Sequence, residues 1–205
     1  MLPLNVFLVP NVYSSQDESD LTTTLRVEDD TTGDTHFSLT SSKYFDWEEV
    51  VDISNIHDFS CCFSIISVNA RSLKSKVSHI ANLLSHLSSL PTIICIQEVW
   101  SGHGSLNIPG YQPITAITRD RDVPNPNCGG GVGLYVREGI GFSVIKVPNS
   151  VITGVIESQW VNVYLPDKTC RTIGNIYRPN TAPLADVARA TRALDSMIQY
   201  VSNLS

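Results

Sequence analysis

The chain has 205 residues, 42% of them hydrophobic and 17% charged, with a formal net charge of −6. That apolar share is enough for a sizeable core and excludes wholesale disorder, and the length sets one or two domains. No apolar run reaches the roughly 18 residues that a membrane-crossing helix needs, so a membrane is not expected as a partner.

The chain opens on Met1-Leu-Pro-Leu-Asn-Val-Phe-Leu-Val-Pro10, which is apolar but lacks a basic leader and is broken by Pro3, Asn5 and Pro10. It reads as no secretory signal. Residues 1–58 carry 12 acidic and 2 basic side chains, a balance of −10, whereas 59–205 carry 8 acidic and 12 basic, a balance of +4. The runs Ser14-Ser-Gln-Asp-Glu-Ser-Asp20 and Glu28-Asp-Asp-Thr-Thr-Gly-Asp34 hold few aliphatics. Such a segment cannot bury enough apolar surface to offset its ordering entropy, so 1–42 is expected to be a disordered acidic segment. A lead-in over 43–58 is richer in aromatics, and Tyr44-Phe-Asp-Trp-Glu-Glu-Val-Val51 is expected to dock as a short helix.

The body, 59–205, begins with Phe63-Ser-Ile-Ile-Ser-Val68, a β-branched run that reads as a buried strand. Ser72 stands at an N-cap position, and Leu73, Val77, Ile80, Ala81, Leu84 and Leu87 recur at helical spacing until Pro91, a helix of about 18 residues. Thr92-Ile-Ile-Cys-Ile-Gln97 is a second buried strand. If these two strands share a sheet they are parallel. Tyr111–Thr118, Gly131–Arg137, Phe142–Val147, Ser158–Leu165 and Arg171–Tyr177 are short β runs separated by turn residues, the pattern of antiparallel meanders. Leu184 to Val201 returns to helical spacing. One strand–helix–strand unit, then strands, then a helix fits an α/β sandwich better than a doubly wound sheet.

Parallel strands carry a consequence for chemistry. Asn69 and Glu98 each follow a strand, so both emerge at the carboxyl edge where open sheets bind ligands, about 5 or 10 Å apart. A carboxylate there suits a hard cation such as Mg²⁺, and an adjacent amide suits a phosphate or a bound water. The plainer reading is a solvated strand end beside a turn former. Five cysteines, with Cys61 and Cys62 adjacent and no Cys-x-x-Cys, argue against a disulfide framework or a zinc site. They favour an intracellular protein, nuclear or cytoplasmic and not secreted.

Five segments occur in a telling order: Val68-Asn-Ala-Arg-Ser-Leu73, Ile96-Gln-Glu-Val-Trp100, Ile108-Pro-Gly-Tyr111, Gly129-Gly-Gly-Val-Gly-Leu-Tyr-Val-Arg137 and Ile176-Tyr-Arg-Pro-Asn180. Together they resemble the endonuclease domain of non-LTR retrotransposons, within the exonuclease–endonuclease–phosphatase superfamily, over roughly 43–185. The resemblance implies an α/β sandwich of the endonuclease/exonuclease/phosphatase type. It implies that Glu98 binds the divalent metal, Mg²⁺ or Mn²⁺, that Asn69 helps set up the site, and that Tyr177 contacts the phosphate. Asn180 matches a phosphate-proximal asparagine more loosely, and Arg178 is a candidate phosphate contact. The implied chemistry is in-line hydrolysis of a DNA phosphodiester by a metal-activated water, with target DNA the partner of a full-length parent and no stable protein partner.

The departures are as informative. The family's Gly-Asp-Phe-Asn-like and Ser-Asp-His-like motifs do not occur, and after Tyr177 the only acids are Asp186 and Asp195, with no histidine. The sequence thus looks like the incomplete, front half of the domain, with weak metal binding and little or no activity alone. His79 and His86 lie seven apart on the first helix and read as solvated. Cys128-Gly-Gly-Gly-Val-Gly133 lacks the Lys-Ser/Thr of a P-loop and reads as a strand entrance. Arg119 and Arg121 alternate with Asp120 and Asp122 and read as self-paired surface charge. Trp100 and Trp160 are core or rim aromatics, and Cys95 is a packing residue. Two other readings stay open: a non-catalytic remnant with a binding role, and a phosphatase of the same superfamily.

Overall fold

The computed structural model describes residues 4–9, 44–45, 51–52, 63–100, 107–117, 130–152, 154–179 and 184–204. Strands β3 (Phe63–Asn69) and β4 (Ile93–Gln97) are adjacent and parallel, with Ile65 opposite Ile93 and Asn69 opposite Gln97. Helix α1 (Leu73–Leu84) connects them and buries Leu73, Ile80 and Leu84. It is shorter than the apolar spacing predicts. Ser85, Ser88 and Ser89 follow it, and serine hydroxyls compete for backbone partners; Ser85 Oγ donates to the Asn82 carbonyl at 2.6 Å. Ser72 stands at the N-cap position but makes no side-chain cap, its φ being +88°. Its N–H is instead tied to the Glu98 carbonyl at 2.8 Å.

Strand β6 (Val132–Arg137) runs antiparallel beside β4, and β5 (Tyr111–Ile117) closes that edge. On the other side of β3 lie β1 (Leu4–Val9) and β2 (Tyr44–Phe45), giving the order β2-β1-β3-β4-β6-β5. This corrects part of the expected disorder over 1–42. Leu4–Val9 forms a six-residue antiparallel ladder with β3, from Leu4 opposite Val68 to Val9 opposite Phe63. Leu-Asn-Val-Phe-Leu-Val is itself an apolar, β-favouring run, and the acidic composition of the longer stretch hides it. Residues 10–43 lie outside the described residues. Tyr44 and Phe45, expected in a short helix, pair with Asn5 and Leu4, while Val51 and Asp52 are helical.

A second, antiparallel sheet has the order β10-β9-β7, from β7 (Gly141–Ile145), β9 (Ile156–Tyr164) and β10 (Cys170–Tyr177), with β8 (Val151–Ile152) also pairing β9. Helix α2 (Leu184–Ser202) follows. The molecule is therefore mixed α/β, and three apolar clusters define its layers. Ile66, Val68, Ile94 and Ile96 pack with α1 on one face of the first sheet. Phe63, Ile93, Cys95, Leu134 and Val136 point the other way and meet Val161, Val163 and Leu165 of the second sheet. Ile156 and Trp160, on the far face of that sheet, pack with Ala190, Met197 and Val201 of α2. The period-two alternation of each strand thus feeds a helix on one side and a sheet on the other. Gly174 is required by this packing, because a Cβ there would lie 2.6 Å from the Trp160 ring. Among the described residues, no helix is long and apolar enough to cross a membrane.

Candidate functional site

The parallel register of β3 and β4 carries Asn69 and Glu98 to the same rim, as the strand ends predict. Asn69 Nδ2 donates to Glu98 Oε1 at 2.8 Å. Tyr177, the last residue of β10 in the other sheet, donates its hydroxyl to the same oxygen at 3.4 Å. Trp100 Nε1 donates to Glu98 Oε2 at 3.3 Å, and its ring is 40% exposed. Residues 79 positions apart therefore converge on one carboxylate.

The backbone beneath this cluster is unusual. Arg71, Ser72, Glu98 and Trp100 all have positive φ, at 44°, 88°, 55° and 64°. For non-glycine residues this region costs roughly 1–2 kcal/mol each, and it persists only where surroundings over-determine it. Here they do. Ala70 N–H donates to the Gln97 carbonyl at 2.9 Å and Ser72 N–H to that of Glu98 at 2.8 Å, continuing the β3–β4 pairing past the strands. On the other side, Val99 and Trp100 donate to the carbonyls of Gly131 and Gly130 at 3.3 and 2.9 Å. Gly130 and Gly131 themselves have φ of 142° and 85°, which side chains rarely adopt, so the glycine run before β6 is a strand entrance with a structural duty.

Behind the rim the space between the sheets is polar. Asn175, 2% exposed, donates from Nδ2 to the carbonyls of Ile96 at 3.0 Å and Gly133 at 2.9 Å. Its Oδ1 accepts from Gln97 Nε2 at 2.6 Å, and Gln97 Nε2 also donates to Ser67 Oγ at 3.1 Å. Glu157, also 2% exposed, accepts the Gly131 N–H through Oε2. Sequence reasoning passed over Gln97, Glu157 and Asn175. The available signal was a polar residue at an inward register position of an apolar strand, in Ile156-Glu-Ser-Gln-Trp-Val161 and Thr172-Ile-Gly-Asn-Ile-Tyr177. A buried polar group has to be matched, so each implies partners that only the fold can supply.

The side chains that donate to Glu98 among the described residues are an amide, a phenol and an indole, all neutral. A carboxylate has about four acceptor positions, and Oε2 takes a single long bond among these, leaving room for a cation. Among the described residues, no three His, Cys, Asp or Glu side chains gather into a metal-holding group. A lone carboxylate of this kind suits only a cation that takes most of its ligands from water or substrate oxygens, as Mg²⁺ usually does. Arg178 is exposed, and its Nη1 donates to the Pro179 carbonyl at 3.2 Å rather than into the cluster. Asn180, Arg119 and Arg121 lie outside the described residues. His79 and His86 are exposed on α1, and His86 Nδ1 lies 2.7 Å from the Asn82 carbonyl. Burial pushes the Cys95 thiol up to about 12, in keeping with a packing role. Against known proteins, the chain matches no family model and no curated sequence.

Proposed function

We propose that the chain is the front part of a metal-dependent phosphodiester hydrolase that acts on DNA inside the cell, related to the endonuclease domain of non-LTR retrotransposons and sharing their α/β-sandwich architecture. The observation that carries this reading is the convergence of Asn69, Tyr177 and Trp100 on the Glu98 carboxylate. Glu98 would hold Mg²⁺ or Mn²⁺ through its less engaged oxygen. When bound, the ion supplies Lewis-acid polarisation of a phosphate oxygen and lowers the pKa of a water. Asn69 and Tyr177 fix the carboxylate without adding a positive charge that would repel the ion; Asn69 keeps its second N–H for a phosphate, and Tyr177 would contact one by turning its single O–H away from Glu98. Such pre-oriented donors are the usual protein share of phosphoryl chemistry.

Among the described residues, general base catalysis lacks a candidate. Asp186 and Asp195 lie on α2, and the only described histidines, His79 and His86, are exposed on α1. We therefore expect this polypeptide alone to bind the ion weakly and to turn over little or not at all.

The test pairs binding with nicking. Mn²⁺ titration followed by electron paramagnetic resonance should show weak binding that Glu98→Gln removes. Any nicking of supercoiled plasmid in Mg²⁺ should vanish in Glu98→Ala. Mn²⁺ binding indifferent to Glu98, or nicking that survives Glu98→Ala, would reject the assignment.

A further inference from the structure

We infer that Glu157 is a positioning residue for the rim, acting through the Gly130–Gly131 backbone rather than on substrate. The inference rests on the reading of Glu98 as the cation ligand, and it explains a carboxylate that this reading leaves unused. Glu157 is 2% exposed, lies on β9 and directly faces Tyr177 across the β9–β10 ladder. Paired residues of an antiparallel ladder project from the same face. Both therefore project toward the first sheet, at the end where Glu98 sits.

The path from Glu157 to Glu98 is short and continuous. Glu157 Oε2 accepts the Gly131 N–H. The Gly131 and Gly130 carbonyls accept the N–H groups of Val99 and Trp100, the two residues that follow Glu98. On the opposite side Ser72 and Leu73 donate to the carbonyls of Glu98 and Val99, at 2.8 and 3.3 Å. Glu98 is thus held in its left-handed conformation by a backbone belt whose outer buckle is a buried carboxylate. The glutamate side chain suits this because its length carries an acceptor oxygen from β9 across to the Gly131 N–H. A buried polar group is costly unless matched, so its presence at this position, and not in the apolar part of the same layer, points to a positional requirement.

The test uses the full 205-residue chain and two variants that separate reach from charge. Glu157→Gln keeps an acceptor at the same reach and removes the charge. Glu157→Asp keeps the charge and shortens the arm by one methylene. Tb³⁺ is the probe, with luminescence sensitised by Trp100 beside Glu98 and assigned through Trp100→Phe and Glu98→Gln controls. Hydrogen exchange at the Val99 and Trp100 amides is read in parallel without metal. Glu157→Gln should leave Tb³⁺ affinity within about twofold, whereas Glu157→Asp should weaken it about tenfold, the usual scale for residues that orient a metal ligand. Exchange at both amides should quicken in Glu157→Asp only. Equal behaviour of the two variants, or the reverse ranking, would overturn the inference. If the wild-type chain gives no Glu98-dependent Tb³⁺ signal, the cation reading fails by itself. The exchange ranking then still decides for or against the belt.

Discussion

The space between the two sheets has two ends built from the same strands for opposite purposes. At the amino end of β4, Phe63, Ile93, Val136, Val163 and Leu165 fill the gap with hydrocarbon. There the chain is also fastened by polar bonds at the layer's margin. Tyr111 Oη donates to the Pro91 carbonyl at 2.8 Å, Arg137 Nη1 to that of Leu90 at 2.7 Å, and Ser64 and Thr92 exchange side-chain-to-backbone bonds at 3.3 and 3.1 Å. At the carboxyl end the gap holds Asn69, Gln97, Glu98, Glu157, Asn175 and Tyr177, and the loops contain four non-glycine residues with positive φ. One end lowers the free energy of the fold. The other consumes some of it to hold a carboxylate in a fixed setting, the usual relation between a core and a functional rim.

Truncation at the apolar end should give the largest loss. Ile93 is fully buried, and Ile93→Ala is expected to cost about 2–5 kcal/mol in urea unfolding. A loss below about 1 kcal/mol would mean that the two sheets do not pack as described. Next comes Asn175→Ala, which strips two N–H donors from buried carbonyls and the 2.6 Å acceptor from Gln97. Leaving those groups unmatched should cost about 1–3 kcal/mol, and Asn175→Asp should do no better because it cannot donate twice. Rescue by aspartate would contradict the donor assignment.

The rim should respond with the opposite sign. Glu98→Asn places a residue that tolerates the left-handed region at φ +55° and removes a partly buried charge. We expect the unfolding free energy to hold or rise, by up to about 1 kcal/mol, while Mn²⁺ binding disappears. A clear destabilisation would erase the contrast between the two ends. Smaller still is the contrast between two thiols. Cys170 is exposed and should alkylate in the native state, whereas Cys95 is buried with its pKa raised from 9.0 to about 12 and should react only on unfolding. Because the folded thiol holds its proton more tightly, its contribution to stability is complete below pH 9.0 and is lost as pH climbs toward 12. Peptide mapping after brief alkylation at pH 8 checks the protection.

The smallest effect belongs to the β9–β10 turn. Asp167 Oδ1 accepts the Thr169 N–H at 2.9 Å and its hydroxyl at 2.6 Å, which together hold the carboxyl below the usual range. A depressed folded pKa contributes stability above the ordinary carboxylate value, and that contribution fades as pH falls through the folded pKa. Thr169→Ala should therefore narrow the difference between melting temperatures at pH 6 and pH 3. An unchanged difference would remove Asp167 from the pH response.

Much of this molecule was legible in one dimension. The β-branched runs, the helical stripes and the parallel β3–β4 pair follow from local periodicity, and parallel strands joined by a helix must deliver Asn69 and Glu98 to one edge. The strand Leu4–Val9 was missed because composition averages over a window longer than the six residues that form it. Helix α1 was overdrawn because its apolar spacing runs on through a serine-rich stretch whose hydroxyls favour turns.

The tertiary structure alone decided the rest. Tyr177 reaches Glu98 because a second sheet folds over the first, and no local pattern encodes which sheet covers which. The polar set of half-buried Gln97 with buried Glu157 and Asn175 belongs to the same class. A strand pattern tells which face a residue takes, whereas the partner that makes a buried amide or carboxylate tolerable lies across a layer, dozens of residues away in the chain. Local sequence thus determined the elements and the edge where they end, and only the stacking of the layers determined what the rim holds.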